Sequence, residues 1–362
     1  MTAKAEFREG WLSLVTSFIG MALSTPTLPL FGWGLFMRPV ADSYGWTLAQ
    51  VSAGLAAYTI AAGLASLPVG YLIDRYGAYR ILSISVPVTS LAFAGLAFTG
   101  GWSPAYFALW IVIGVVGLGS GPIIWTRLLA GKFRAGRGLA LGVASCGAAG
   151  FVLIVKPVVQ WVIDLAGWQT GLILMGVLPL LVLYPLALWV MRPRHRESID
   201  VSVHALEPEF GYTLRQVLTQ WRFFIMLASA VLCAAVPGML PHLEGALASH
   251  GISASQAVSM TAAMGISLLI GRLLAGYLSD KFWSPGLFAG CLLLSGISAF
   301  CLGAVSDIVL LQVAILGIGA ASGGEFQLLA YVTSRYFGVR AYGTIFGLLF
   351  GITTAVGGIW SL

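Results

Sequence analysis

The chain has 362 residues, of which 59% are apolar and only 9% are Asp, Glu, Lys or Arg, and its formal net charge is +6. A soluble globular chain carries about 25% charged residues, so this composition excludes a disordered chain, a nucleic-acid-binding domain and an ordinary cytosolic enzyme. It predicts an all-α polytopic membrane protein, because one crossing of the bilayer takes about 20 apolar residues.

Apolar runs long enough to cross the bilayer follow one another along the whole chain. They cover residues 11–37, 49–72, 81–100, 105–130, 138–163, 169–191, 223–247, 256–279, 285–304, 308–333 and 342–362. The longest polar stretch separates the first six runs from the last five. We therefore predict an N-terminal six-helix bundle (1–191), a cytoplasmic linker (192–222) and a C-terminal bundle (223–362) that ends within an eleventh helix.

The loops between the runs fall into two sets of different charge. One set carries most of the cations: Lys4, Arg8, Arg75, Arg80, Lys132, Arg134, Arg137, Lys281, Arg335, Arg340 and the arginines of the linker. The other set carries one cation and four carboxylates: Arg38, Asp42, Asp164, Glu244 and Asp307. Loops rich in Lys and Arg remain on the cytoplasmic side, which predicts a cytoplasmic N-terminus and linker in the cytoplasmic (inner) membrane.

Two sequence matches indicate that the halves are repeats. Residues 70–76 (Gly-Tyr-Leu-Ile-Asp-Arg-Tyr) recur 206 positions later as residues 276–282 (Gly-Tyr-Leu-Ser-Asp-Lys-Phe). Glycines at the start of the fifth run recur 205 positions later at the start of the eleventh: Gly138 and Gly142, then Gly343 and Gly347. Both copies fall on the predicted cytoplasmic side, which is the arrangement of parallel repeats with a site near the bilayer midplane.

The loop after the second run is the first candidate for a functional element. Its pattern is Gly70, Asp74, Arg75, Gly77 and Arg80, and the second copy contributes Asp280 and Lys281. We expect Asp74 to accept hydrogen bonds from the N-terminus of a neighbouring helix, where the helix dipole favours an anion. The pattern predicts a cytoplasmic gate that forms in one conformation and breaks in another, and the alternative is a simple positively charged turn.

This loop resembles the cytoplasmic signature of the major facilitator superfamily, and its second copy is typical of the same family. The chain further resembles the monocarboxylate-porter branch and the bacterial oxalate–formate exchangers. That closer resemblance rests on Tyr44-Gly45-Trp46-Thr47, residues 136–142, Pro157, Gly167-Trp168, Arg192-Pro193, Gly271-Arg272, residues 335–338 and Tyr342-Gly343. The resemblance implies two six-helix bundles that rock about a central cavity and carry small carboxylates with protons or by exchange.

Four charged residues lie inside the predicted spans. They are Arg127, Lys156, Arg272 and Glu325. A charge near the bilayer centre costs about 2.5–3.5 kcal/mol on insertion scales, so each is a candidate functional residue. In animal members of the resembled branch an Asp lies four residues before the arginine of the eighth span, where this chain has Leu268.

The three cations are the candidate substrate-binding residues. Arg272 lies about 12 Å from the cytoplasmic end of its span and presents a planar fork of donors to a carboxylate, or it forms a structural ion pair with Glu325. Lys156 lies in the outer half of its span, where it binds an anion or extends its ammonium towards the interface. Arg127 lies near a cytoplasmic helix end, where it lines the pathway or extends to the interface.

Glu325 is the candidate proton-coupling residue because it is the only carboxylate deep inside a predicted span. A carboxyl in a low-dielectric site can load and release a proton at neutral pH. The alternative is a permanent ion pair with Arg272 or Lys156.

The sequence therefore predicts a proton-coupled secondary transporter of small organic anions that works by alternating access. The alternatives are a proton-driven efflux antiporter of hydrophobic compounds and a non-transporting membrane sensor. No enzymatic motif is present, and the four cysteines show no metal-ligand spacing, so we expect no catalytic residue, no metal and no cofactor. The expected partners are a small organic anion, protons and lipid, and we expect a monomer.

The end of the chain also carries an expectation. By the 205-residue repeat, Leu362 corresponds to Pro157, in the middle of the fifth span. The counterpart of residues 158–191 then has no place in the chain. This predicts either a partial sequence of a twelve-span protein or an early stop.

Overall fold

The computed structural model of the protein describes residues 2–192, 211–234, Leu243, Leu247, Ile252 and 254–360. Within these residues the secondary structure is helical, apart from one isolated bridge between Gly211 and Gly338. Eleven principal helices follow in chain order: α1 Ala3–Ala22, α2 Leu48–Tyr76, α3 Ala78–Leu96, α4 Ser103–Lys132, α5 Arg137–Ala166, α6 Trp168–Met191, α7 Trp221–Cys233, α8 Ala254–Ser279, α9 Ser284–Ala304, α10 Ile308–Tyr336 and α11 Tyr342–Trp360. Two short helices, Met37–Tyr44 and Leu214–Val217, lie between them.

Most helix ends agree with the predicted spans because local capping groups define them. Thr47 and Gln50 form a capping box at the start of α2, in which each side chain bonds the other residue's backbone N–H. Asp307 accepts the N–H groups of Val309 and Leu310, each at 3.0 Å, at the start of α10. Such caps satisfy donors that a helix leaves open at its N-terminus.

The first span departs from the prediction of one continuous helix over 11–37. The helix begins earlier, at Ala3, and ends at Ala22. The hydroxyls of Ser24 and Thr27 donate to the carbonyl of Met21 at 3.1 and 2.7 Å, and so compete with the helical pattern. Prolines 26 and 29 lack the N–H groups that an α-helix would need there, so the chain continues to the short helix Met37–Tyr44 through a π-helical segment, Leu28–Gly32, and a 3-10 turn, Trp33–Leu35.

Proline also explains the wide helical turns inside α5 and α6. In α5 the segment Phe151–Val155 has π-helical geometry just before Lys156 and Pro157. In α6 the segment Pro179–Leu183 has the same geometry just before Tyr184 and a second proline. A proline cannot donate to the carbonyl one turn earlier, and a widened turn accommodates that loss within a membrane helix.

Seven of the described helices are long and apolar enough to cross a bilayer, namely α2 to α6, α9 and α10. Three further apolar segments are shorter: Trp221–Cys233, Ala263–Ser279 and Tyr342–Val356. The protein is an integral membrane protein. Most of the predicted linker, residues 193–210, lies outside the described residues.

The halves α1–α6 and α7–α11 meet through equivalent helix pairs. α2 packs along α11, and α5 packs along α8 and also touches α10. Glycines face the opposite backbone at both contacts. A Cβ atom at Gly70 would collide with the carbonyl of Gly343, and one at Gly138 would collide with the carbonyl of Gly276. This close approach requires residues without side chains.

We expect Gly70→Ala to lower the free energy of unfolding by about 1–3 kcal/mol, because the added methyl group meets fixed backbone. The matched control is Gly290→Ala in α9, where a Cβ atom meets nothing within 4 Å and the gain in helix propensity is about 0.5–1 kcal/mol. Thermal unfolding of the purified protein in detergent would show the difference. Equal melting shifts for both variants would contradict the assigned contact.

Candidate functional site

Asp74, in the last turn of α2, joins the two halves at one end of the bundle. Its carboxylate accepts the N–H groups of Gly343 and Thr344 at 3.0 and 2.6 Å and the Thr344 hydroxyl at 2.7 Å. The guanidinium of Arg127, on α4, also pairs with it. We call this group the first latch. The hydrogen bonds expected for Asp74 are present, and the donors belong to the first turn of α11.

Asp280, directly after α8, makes the equivalent contact with the other half. Its carboxylate accepts the N–H groups of Gly138 and Leu139 at 2.7 and 3.0 Å, in the first turn of α5. We call this group the second latch, and the end of the bundle that holds both the latch end. Burial raises the pKa of the Asp280 carboxyl and the negative charge of Glu6 adds to that shift, while these two N–H groups and the charge of Arg137 oppose it.

The remaining residues of the repeated motif lie at the surface of the latch end. Arg75 donates to the Tyr71 hydroxyl at 3.2 Å, and Lys281 pairs in the same way with the hydroxyl of Tyr277. Each cation thus pairs with the tyrosine four residues earlier, on the same helix face. Gly77 turns the chain between α2 and α3 at φ 84°, a conformation that favours glycine, and Arg80 is exposed.

Arg272 contacts the opposite half instead of a carboxylate. Its guanidinium donates to the carbonyl of Ser145 on α5, and its Nε atom is buried without a hydrogen-bond partner. The amide of Gln327, on α10, donates to the carbonyl of Arg272, while the amide oxygen has no partner. Gln327 is 2% exposed. Two buried polar atoms without a hydrogen-bond partner, Arg272 Nε and Gln327 Oε1, therefore lie among α5, α8 and α10.

Glu325 faces a different set of neighbours. It is 4% exposed and accepts the hydroxyl of Ser295, on α9, at 2.7 Å. The thiol of Cys233, at the end of α7, lies beside it. Among the described residues one ion pair is present, between Arg127 and Asp74. The expected alternative of a pair between Glu325 and Arg272 or Lys156 is therefore not realised in this conformation.

The structure separates Lys156 from the other candidate cations. It is half-buried and follows the widened turn of α5. It lies eleven positions after Ser145, the residue that Arg272 touches, which is about 16 Å along a helix. Arg127 belongs to the first latch, so the three predicted cations do not converge on one point here.

The family model described as Major Facilitator Superfamily matches residues 10–362. The chain belongs to the Major Facilitator Superfamily. It is a transporter and not an enzyme.

Among its relatives, the uncharacterized MFS-type transporter YcxA of Bacillus subtilis is 26% identical, with 90% of this chain and 80% of that protein covered. Monocarboxylate transporter 11 of Homo sapiens is 27% identical, covering 97% and 71%. The oxalate:formate antiporter of Oxalobacter formigenes is 26% identical, covering 92% and 80%. The solved structure of the proton:xylose symporter XylE has a TM-score of 0.71 at 16% identity, covering 97% of this chain and 86% of that one, which shows the fold.

Sequence reasoning missed two polar residues of this major facilitator chain. Thr344 adds a hydroxyl donor to the first latch, and Gln327 lies between Arg272 and the α5 backbone. A threonine in the first turn of α11 gave a weak signal, because such residues are common at helix starts. A glutamine inside an apolar span was the stronger signal, since its amide must find partners away from water.

We expect Asp74→Asn and Arg127→Met each to destabilise the protein, by about 1.5–3 kcal/mol, since each leaves a half-buried charge without its ion-pair partner. The double variant should cost clearly less than the sum of the two, because it removes both charges. Thermal or chemical unfolding of the four proteins would measure the coupling. Additive losses would show that the two charges do not interact.

Proposed function

We propose that this protein is a secondary transporter of small organic anions, of the monocarboxylate type. The support from relatives is the substrate in each name, monocarboxylate for the human transporter and oxalate and formate for the bacterial antiporter. The support from the chain itself is its excess of intramembrane cations outside the first latch: Arg272 and Lys156 against the one deep carboxylate, Glu325. Such an excess favours an anionic cargo over a cationic one.

Arg272 is the residue we propose to bind the substrate carboxylate, and its contact across the halves is the observation that carries the proposal. The guanidinium reaches from α8 to α5, it has no carboxylate partner within 4 Å among the described residues, and its Nε donor is unmet. A planar, permanently charged donor fork suits a carboxylate. Lys156 is the proposed second cation for a different stage of the cycle, because it lies farther along α5 than Ser145.

We propose that the latch end is cytoplasmic and that the two latches form the gate on that side. Lys and Arg are concentrated in the loops of that end, as the positive-inside rule requires. Both latches join the N-terminal half (1–191) to the C-terminal half (223–362), so this conformation is closed there. Opening requires both carboxylates to release the helix N-termini. Arg127 contributes to this gate as the ion-pair partner of Asp74.

Glu325 is the proposed proton-coupling residue. Its carboxyl is buried against a hydroxyl on α9 and has no cation beside it among the described residues. Its helix also touches the substrate-binding segment, because Gly323 packs against the backbone of Leu268 and Arg272. A change in the charge of Glu325 can therefore bias the packing of α10 on α8, which is the link that proton coupling needs.

Arg272→Ala should abolish saturable uptake of lactate, pyruvate and oxalate into liposomes that contain the purified protein. Arg222→Ala removes an exposed cation at the start of α7 and should leave uptake unchanged. Binding of the same acids, measured by thermal shift, should be lost with Arg272→Ala. Retained affinity would show that Arg272 is structural, and proton-driven export of a hydrophobic dye without acid uptake would contradict the proposed function.

Glu325→Gln should abolish uptake driven by a pH gradient and leave counterflow exchange intact. The amide keeps the shape of the carboxyl and can still accept from Ser295, so the fold is expected to persist. Uptake with and without an imposed gradient, beside exchange of preloaded substrate, would separate the two processes. Unchanged pH-driven accumulation would contradict the proton-coupling role of Glu325.

A further inference from the structure

Glu6, on α1, binds the loop that leads into α5. Its carboxylate accepts three consecutive backbone N–H groups, those of Arg134 at 3.1 Å, Ala135 at 3.0 Å and Gly136 at 3.1 Å. A half-buried carboxylate that accepts three successive donors fixes the path of the backbone between them. All of these residues belong to the N-terminal half, so opening of the latches does not require this contact to break.

The donors that follow directly along the chain belong to the second latch. Gly138 and Leu139 give their N–H groups to Asp280, on the other half. Two carboxylates, one from each half, therefore hold neighbouring stretches of a single short segment. Because Glu6 fixes residues 134–136, the first turn of α5 begins at a defined place and aims its open N–H groups towards Asp280.

In the C-terminal half, the equivalent loop is the one before α11, and backbone contacts hold it in place of a carboxylate. The 205-residue repeat relates Glu6 to Gly211, and Gly211 forms a bridge with Gly338. The N–H of Tyr212 donates to the carbonyl of Phe337 at 3.0 Å. These contacts fix the loop before α11, whose first turn supplies the N–H donors of the first latch. The anchor lies in the first turn of α1 in the N-terminal half and before α7 in the C-terminal half, and in both halves it holds the loop that carries the latch donors.

We propose that Glu6 is a positioning residue of the gate, which acts by preorganising residues 134–139 for Asp280. This inference rests on the gate role given to the latches under the proposed function. A loop held in its bound conformation loses less entropy when Asp280 docks, so the closed gate is favoured. Without the Glu6 carboxylate, the N–H groups of residues 134–136 turn to water and the donors for Asp280 lose their fixed direction.

The test measures closure of the latch end directly. Ser279 is 2% exposed and lies against Gly138, so Ser279→Cys reports separation of the halves through its reaction with N-ethylmaleimide. The reporter is placed in the full chain with the four native cysteines changed to Ala. We expect Glu6→Ala to raise the alkylation rate roughly tenfold, as for the loss of hydrogen bonds to a charged group. Glu6→Gln, which keeps one oxygen acceptor, should give a smaller increase, and Lys4→Gln, at an exposed position on the same helix, should give none.

Repeating the measurement in a protein that also carries Asp280→Asn distinguishes a positioning role of Glu6 from general destabilisation. Asp280→Asn should raise alkylation by itself, and Glu6→Ala should then add little, because both act on the same latch. A rate within about twofold of the parent for Glu6→Ala, or an equal increase in both backgrounds, would overturn the proposal. The alkylation rate is measured without a transported substrate. Failure to find organic-anion uptake would therefore not contradict the role of Glu6, and an unchanged alkylation rate would not contradict organic-anion transport.

Discussion

The architecture depends on one interaction made twice: a carboxylate at the end of a helix in one half accepts the open N–H groups at the start of a helix in the other half. A helix N-terminus offers unsatisfied donors and a positive dipole end, so an aspartate is its natural partner. The contact forms only if the backbones approach closely, which is why glycines face one another beside Asp74 and Asp280. Because buried donors and acceptors are costly when unpaired, such a contact is either complete or broken, which suits a gate with two states.

The two latches are equivalent in topology but unequal in charge. Asp74 pairs with Arg127, whereas Asp280 relies on backbone N–H groups and has no ion pair among the described residues. The repeat relates Arg127 to Val332, so the second half lacks the equivalent cation. Arg137 contributes its charge without an ion pair, so the second latch depends on how well its N–H donors are aligned. Under the proposed gate role, closure therefore depends more on the loop before α5, which the Glu6 carboxylate anchors, than on the loop before α11.

Much of the fold could be predicted, because hydropathy sets the helices and capping residues set their ends. The repeat and the helix-dipole argument likewise predicted the surroundings of Asp74. The end of α1 was missed, since side-chain hydroxyls and prolines interrupt an apolar run there. The partner of Arg127 lies 53 positions away on another helix, and Glu325 turns towards α9 instead of α8. Such pairings depend on how helices rotate against one another, which hydropathy along a single span does not determine.

Arg272 connects the proposed substrate site to the position of the halves. In this conformation its guanidinium donates to the carbonyl of Ser145, in the opposite half. A carboxylate that binds the same guanidinium must share or replace this contact, so anion binding and the packing of α8 on α5 are not independent. Gln327 reinforces the link, because it bonds the backbone of Arg272 and its unmet oxygen lies close to Gly142 on α5. A ligand moves a conformational equilibrium only through differential affinity for its states, and this shared guanidinium supplies a physical source of that difference.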